Sequence, residues 1–354
     1  VGVLPGEGVG PEVVSAAIAV LEAVAADLGL ELAVSELQPA APSLGLQEDE
    51  VEFCRETFAS GGAVLAGAHG GRWVYEIRRR LDLFCKLSPI RPSAAIDRIE
   101  APITPSRLRG VDLLLVREQR GGVYQGSWGE THDRNGARVA EHHFSYRQDE
   151  VQRILEIAMA LARRRRGHLA VVIKEGGVPS ISELWRECAE AIAEDGVELQ
   201  VLDADHALYR LLMHPEEHDV VVAPNLFGDL LSDAAGVLLG SRGLTYGASF
   251  DSAQGAIYQT NHGAARDLAG SDRANPGGQI LAAAMMMRES FGRADVAALI
   301  ARGLSETWRA GWRTEDVAEP GCRVIGTREM GQRIAEGVRN ASRAGEAEAG
   351  APRR

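Results

Sequence analysis

With 354 residues, 45% apolar and 25% charged, the chain has the composition of an ordinary folded protein, long enough for one large or two medium domains. Its net charge of −12 argues against a general surface for a nucleic-acid backbone, and no apolar run approaches the roughly 18 residues needed to cross a bilayer. The four cysteines, Cys54, Cys85, Cys188 and Cys322, form no CxxC pair, which argues against structural zinc or a disulfide framework and predicts a reducing, cytoplasmic setting.

In chain order, the apolar run at residues 1–5 leads into GEGVGPE (6–12). A dinucleotide fingerprint, G-x-G-x-x-G, needs its third glycine one residue later than Gly10, and Pro11 follows instead. Pro11 suits the first turn of a helix, so a strand-to-helix turn of another type is predicted, with a helix over 11–29. Short β-branched or leucine-rich runs follow at 63–67, 111–116, 168–173, 199–203 and 219–224. They alternate with helical patterns at 149–165, 182–196 and 277–292, the signature of α/β architecture built on parallel strands. The segment 121–148 breaks this alternation, being rich in glycine, polar and aromatic residues with a turn signal at Asn135-Gly136. It reads as a projecting hairpin, either for subunit contacts or as a surface flap. The basic run 163–166 reads as solvated cations at a helix C-terminus, and Met285, Met286 and Met287 as helix packing. From Asn340 to 354 the composition predicts a frayed, disordered tail.

Ligands of an open α/β sheet bind beyond the carboxyl ends of its strands. Three such ends carry Arg117-Glu118, Lys174 and Asn225, which predicts a shared anionic-ligand site. Past Asn225, Asp229 and Asp233 lie four residues apart on one helical face among leucines and alanines. Like charges at that spacing need compensation, and a hard divalent cation with oxygen ligands supplies it; a solvated acidic face is the alternative.

At NLFGDLLSDAAGVLLGSRGL the chain resembles the isocitrate/isopropylmalate dehydrogenase family of metal-dependent oxidative decarboxylases. LPGEGVGPEV, RRRLDLF, VREQRGGVYQG, HGAARDLAGSDRANP, GWRTEDV and IGTREMG carry the likeness nearly end to end. The resemblance implies a two-domain isopropylmalate-dehydrogenase-like α/β fold with a parallel or mixed sheet and no Rossmann fingerprint. Residues 1–91 with 241–354 would form the cofactor-side domain, and 92–240 the second domain with the metal site and dimer arm. It further implies a homodimer with active sites shared between subunits. Asp229 and Asp233, with Asp205 of the partner copy, would hold Mg²⁺ or Mn²⁺; Asp205 is placed by its spacing to PEEHDVVV. Arg78 and Arg117 would clamp substrate carboxylates, as the planar guanidinium fork suits. Tyr124 and Lys174 would be acid and base. His262, Gly263, Asp267 and Asn275 would bind the adenosine side of NAD, and Asp267 would repel the 2′-phosphate of NADP. GEGVGPE would then border the nicotinamide end of the cleft.

Several residues depart from the family pattern. Ser88 replaces an arginine that is a third carboxylate clamp, and Lys86, on the same side if this stretch is a strand, would substitute for it. The loop before Arg78 is short, leaving residues 72–76 to contact the substituent and nicotinamide. Gly176 stands where an asparagine is usual, Gln259 and Thr260 replace a Glu-Pro pair, and Arg120 is an additional cation. These changes predict a 3-substituted malate whose substituent is a different, acidic one, in specialised metabolism. The competing expectation is a catalytically silent regulatory paralogue.

Overall fold

The computed structural model describes residues 1–37, 45–96, 103 and 105–349, with residues 342–349 as backbone. In chain order the strands that position the site are β1 (Gly2–Leu4), β2 (Ser35–Glu36), β3 (Val64–Ala66), β4 (Cys85–Ile90), β5 (Leu113–Glu118), β6 (Ser127–His132), β7 (Arg138–His143), β8 (His168–Ile173), β9 (Glu198–Asp203), β10 (Val220–Ala223), β11 (Tyr246–Phe250) and β12 (Ala256–Thr260). Ten of them form one sheet in the order β2-β1-β3-β12-β11-β4-β5-β10-β8-β9.

All five apolar runs read from the sequence are strands of this sheet. The sheet is mixed: its two flanks are parallel, whereas β12, β11, β4 and β5 run antiparallel to one another through the middle. The strands from β2 to β4 in that order come from residues 2–90 and 246–260, and the remainder from residues 113–223. The boundaries expected at 91/92 and 240/241 fall between β4 and β5 and between β10 and β11.

Each flank is covered by helices because its buried strands are apolar on both faces. Helices Gly10–Leu28, Gly277–Glu289, Ala294–Arg309 and Thr327–Ala349 pack around one cluster containing Val20, Tyr258, Ile280, Ile300 and Ile334. Met285, Met286 and Met287 are buried there, as packing residues. Helices Gln148–Arg163 and Pro179–Ala191 cover the other flank through Ile154, Leu155 and Trp185. Among the described residues no helix is long and apolar enough to cross a membrane.

Two expectations change and a third holds. Helix Thr327–Ala349 carries regular backbone past Asn340, where a frayed tail was expected; residues 350–354 lie outside the described ones. The basic run at 163–166 is not simply solvated. Arg165 bonds Asp219 at 2.7 Å and Asp112 at 2.9 Å, and Asp219 has no exposed side chain, so the run anchors the edges of β5 and β10. The segment 121–148 does contain a hairpin, β6 and β7. Every residue of both strands is exposed, and the Asp133 carboxylate accepts the N–H groups of Asn135 and Ala137 at its tip.

Candidate active site

The site begins with strand register. β4 and β5 pair with Lys86 opposite Arg117, so two cations that would repel in water sit side by side at the middle of the sheet. β10 lies on the other side of β5 with Ala223 opposite Arg117, which delivers the start of helix Asn225–Ala234 to the same strand end.

Arg117, 3% exposed, donates from Nε and Nη2 to Asn225 Oδ1 at 3.0 and 2.9 Å and pairs through Nη1 with Asp229. Asn225 is fixed in turn: its N–H donates to Tyr146 Oη at 2.8 Å, and its Nδ2 to the Gly121 carbonyl at 2.9 Å. Tyr124, in the short turn Val123–Gln125, donates its hydroxyl to Asp229 Oδ2 at 2.8 Å while its ring tilts against Tyr75 at 4.8 Å. Burial works to raise the Asp229 pKa, but Arg117, Tyr124, Lys86 and Arg78 outweigh it and hold the carboxyl below its usual range. Burial and then Asp229 raise the Tyr124 hydroxyl.

Arg78 projects from helix Trp73–Arg80 and is 5% exposed; burial and Arg117 lower it to about 9. Gln119 meets it with the amide oxygen, accepting from Arg78 Nη1 and Nε at 3.0 and 3.2 Å and donating to Ser249 Oγ at 2.9 Å. Lys86 is 3% exposed and has no hydrogen-bond partner among the described residues; burial, Arg78 and Arg117 pull it well below the usual lysine range. Arg78, Lys86, Arg117, Asp229 and Asp233 line a cavity of ≈ 270 Å³ that His262 and Gly263 close on the other side.

The opening loop reaches the segment around Ala264 that follows His262 and Gly263. Val9 donates its N–H to the Ala264 carbonyl at 2.9 Å, and Glu7 pairs with Arg266. Gly8 is required there: its φ is +59°, and a Cβ would stand 1.8 Å from the Ala264 oxygen. Pro11 lies in the first turn of the following helix, as expected.

Other expected residues lie elsewhere. Arg120 points away from the cavity and pairs with Asp82 at 2.8 Å, together with Arg153, so it is not a cation of this cavity. Ser88 is buried but too short to reach the cavity; its Oγ accepts from Asn261 Nδ2 at 3.2 Å, and Asn261 forms the wall instead. Lys174 does not join Arg117 and Asn225. β8 is separated from β5 by β10, and Lys174 Nζ pairs with Asp205 and, at 3.3 Å, with Asp203 at the ends of its own neighbours. Asp205 is exposed there, and its bond raises the Lys174 pKa. Asp233 lines the cavity while bonded to Arg242 at 2.9 Å. Asp267 is exposed, and Asn275 is held by Gly277 and Asp316.

The segment 72–76 reaches the site as expected, and the structure adds neighbours to it. Residues 73–76, expected in a loop, form the first turn of helix Trp73–Arg80; Arg72, which precedes it, donates to the Tyr124 carbonyl at 3.1 Å and lies over the Tyr75 and Trp128 rings, tying the helix start to the arm. His69 stacks on Trp73 at 3.6 Å and, with Tyr75, Gln259 and Asn261, completes the wall. Tyr75, within 72–76, and Gln259, as part of a departure from the family pattern, were expected from the sequence; His69 and Asn261 were not, because neutral wall residues carry no charge pattern.

Residues 1–334 match the family model for isocitrate/isopropylmalate dehydrogenase. The chain is 36% identical to the 3-isopropylmalate dehydrogenase of Geobacillus kaustophilus over 365 aligned residues, covering 96% of this chain and 95% of that one. It is 37% identical to the 3-isopropylmalate dehydrogenase of Pseudomonas putida, covering 96% and 98%. The crystal structure of isocitrate dehydrogenase from Methylococcus capsulatus superposes with a TM-score of 0.83 at 29% identity, covering 96% and 98%.

Proposed function

The chain belongs to the isocitrate/isopropylmalate dehydrogenase family, and within it we propose that it oxidises and decarboxylates a 3-substituted malate with NAD and Mg²⁺ or Mn²⁺. The observation that carries this reading is the meeting of Arg78, Lys86, Arg117 and the Tyr124–Asp229 pair around one cavity that His262 and Gly263 share.

The residues fit a hard divalent cation by their chemistry: Asp229 and Asp233 offer oxygen ligands one helical turn apart, with no histidine or cysteine in the expected ligand set. In the isolated chain Arg117, Tyr124 and Arg242 supply the compensating contacts to these carboxylates. Asp205 would come from a second copy, which agrees with its exposed position outside this cavity. A bound cation supplies a Lewis acid for the substrate hydroxyl and the developing enolate. For NAD, Asp267 offers an exposed carboxylate to ribose hydroxyls and opposes a 2′-phosphate.

Arg78 and Arg117 hold the malate carboxylates, with Lys86 as a third cation. Lys174, contributed across a homodimer and neutral once freed of Asp205 and Asp203, accepts the hydroxyl proton directly or through water; NAD, held by His262, Gly263, Asp267 and Asn275, would supply the hydride acceptor. The C–C bond to the β-carboxylate then breaks, CO₂ leaves, and the electron pair stays on the ring-free carbon chain as an enolate. Tyr124 donates the proton that quenches it, a role supported by a hydroxyl that its surroundings keep protonated.

The test is NADH and CO₂ formation from a panel of 3-substituted malates with Mn²⁺ or Mg²⁺. Chelation should abolish it and NADP should substitute poorly. No turnover with any malate would instead favour the silent paralogue.

A further inference from the structure

Behind the cavity lies a buried acid that no step of the proposed reaction uses. Glu118 follows Arg117 on β5, so its side chain points to the opposite face of the sheet, where it is fully buried and outside the cavity lining. Glu150 and Arg153 of helix Gln148–Arg163 are the charges that act on it, Cys85 stands opposite it on β4, and Tyr146 lies near it. Burial raises the Cys85 thiol and the Tyr146 hydroxyl, so both stay neutral, and Arg153 is paired with Asp82. Among the described residues the partners of Glu118 are two backbone N–H groups: Oε1 accepts from Arg120, and Oε2 from Gly121 at 2.9 Å. A buried charge held by N–H groups alone is costly, so what those two bonds fix is informative. An ionised carboxyl accepts at both oxygens, whereas a protonated one turns a hydroxyl toward one of the N–H groups. The residues so fixed reach three sides of the cavity. Gln119 accepts from Arg78, the Gly121 carbonyl orients the Asn225 that holds Arg117, and the chain then leads into the short turn of Tyr124.

Resting on the dehydrogenase reading above, we propose that Glu118 is a positioning residue: from outside the cavity its ionised carboxylate clamps the segment 119–124, holding Arg78, Arg117 and Tyr124 in place for an anionic ligand, and its protonation releases the clamp. Burial, with Glu150 adding to it, raises this carboxyl to about 7 against the two N–H groups and Arg153, so the clamp engages as pH rises through neutrality. The other groups of the cavity do not imitate that profile. Lys86 would lose charge as pH rises and weaken anion binding, the opposite sign, while His69 and His262 are lowered by burial.

The experiment has two arms on the full chain. The first needs no ligand: hydrogen exchange of a peptide spanning Arg120 and Gly121, corrected for the intrinsic pH dependence of exchange. Protection in the wild type should fall about tenfold from pH 8 to pH 6, as the ionised fraction falls. Glu118→Gln, equal in size and uncharged, should show the low value at both. The second arm is equilibrium binding of malate with Mg²⁺, which should be about tenfold weaker at pH 6 than at pH 8 in the wild type. In Glu118→Gln it should be about tenfold weaker than wild type at pH 8 and flat between the two. A side chain with only a structural role would alter stability and leave this pH profile in place. Wild-type protection that ignores pH overturns the proposal, and that measurement needs no variant to fold. So does malate affinity that stays constant while protection changes, or a folded Glu118→Gln variant with wild-type protection and affinity at pH 8. Protection that follows Glu118 in a chain that binds no malate would refute the dehydrogenase reading and leave the clamp standing.

Discussion

Replacing Arg117 by methionine removes the guanidinium while keeping most of the side chain's volume, so the electrostatic and hydrogen-bonding roles can be separated from packing. Two losses follow from the geometry. Asn225 Oδ1, buried and accepting two N–H groups from Arg117, is left without those donors, which costs about 1–3 kcal/mol. Asp229 loses its ion pair, but its side chain is 37% exposed and keeps Tyr124, so this loss is screened to about 0.5–1 kcal/mol. Against these, the repulsion of Arg117 on Arg78 and Lys86 disappears, returning about 1 kcal/mol. The net expectation is a destabilisation of about 0.5–3 kcal/mol in urea unfolding, together with a fall in kcat/KM of roughly 10- to 150-fold from the lost carboxylate contact. A double-mutant cycle with Asn225→Ala isolates the pair. Arg117→Met should cost about 1–2 kcal/mol less in the Asn225→Ala background, because no orphaned oxygen remains. Additivity of the two substitutions within about 0.3 kcal/mol would refute the reasoning.

Tyr124→Phe keeps the ring against Tyr75 but loses the proton donor, so turnover should fall roughly 10²- to 10⁴-fold with substrate binding nearly intact, measured as kcat against KM; an unchanged kcat would remove Tyr124 from the proton transfer. His69 has a pH signature. Its folded pKa is lowered to about 4 from 6.5, chiefly by burial, so the unfolded chain takes up the proton first. Its contribution to stability is complete above pH 6.5 and is lost as pH falls toward 4, by up to about 3 kcal/mol. His69→Gln should flatten the pH dependence of urea unfolding across that window, and an unaltered slope there would contradict the assignment.

Where the sequence could be read, a local rule sufficed. β5, β8 and β10 are apolar runs of strand length, Pro11 marks a helix start, and the four-residue spacing of Asp229 and Asp233 puts both carboxylates on the face that meets the cavity. β11 and β12 gave no comparable signal, since glycine, serine and glutamine interrupt their apolar pattern and their place in the sheet comes from antiparallel pairing with β4 and with each other. Arg120 and Lys174 stood beside strand ends just as Arg117 did. Asp82 in one case, and Asp203 and Asp205 in the other, lie within bonding range only after folding, and they draw those cations away.

Chemical type and local periodicity, which depend on residues a few positions apart, were thus determined by the sequence: the α/β class, the arm, the acidic pair and the supply of cations. Convergence was decided by tertiary structure. Lys86 is 31 positions from Arg117 along the chain yet lies opposite it, because the β4–β5 register is set by long-range strand pairing and by burial of the sheet's faces. That register, and the delivery of helix Asn225–Ala234 to the same strand end, turns scattered arginines, a lysine and two aspartates into one cavity.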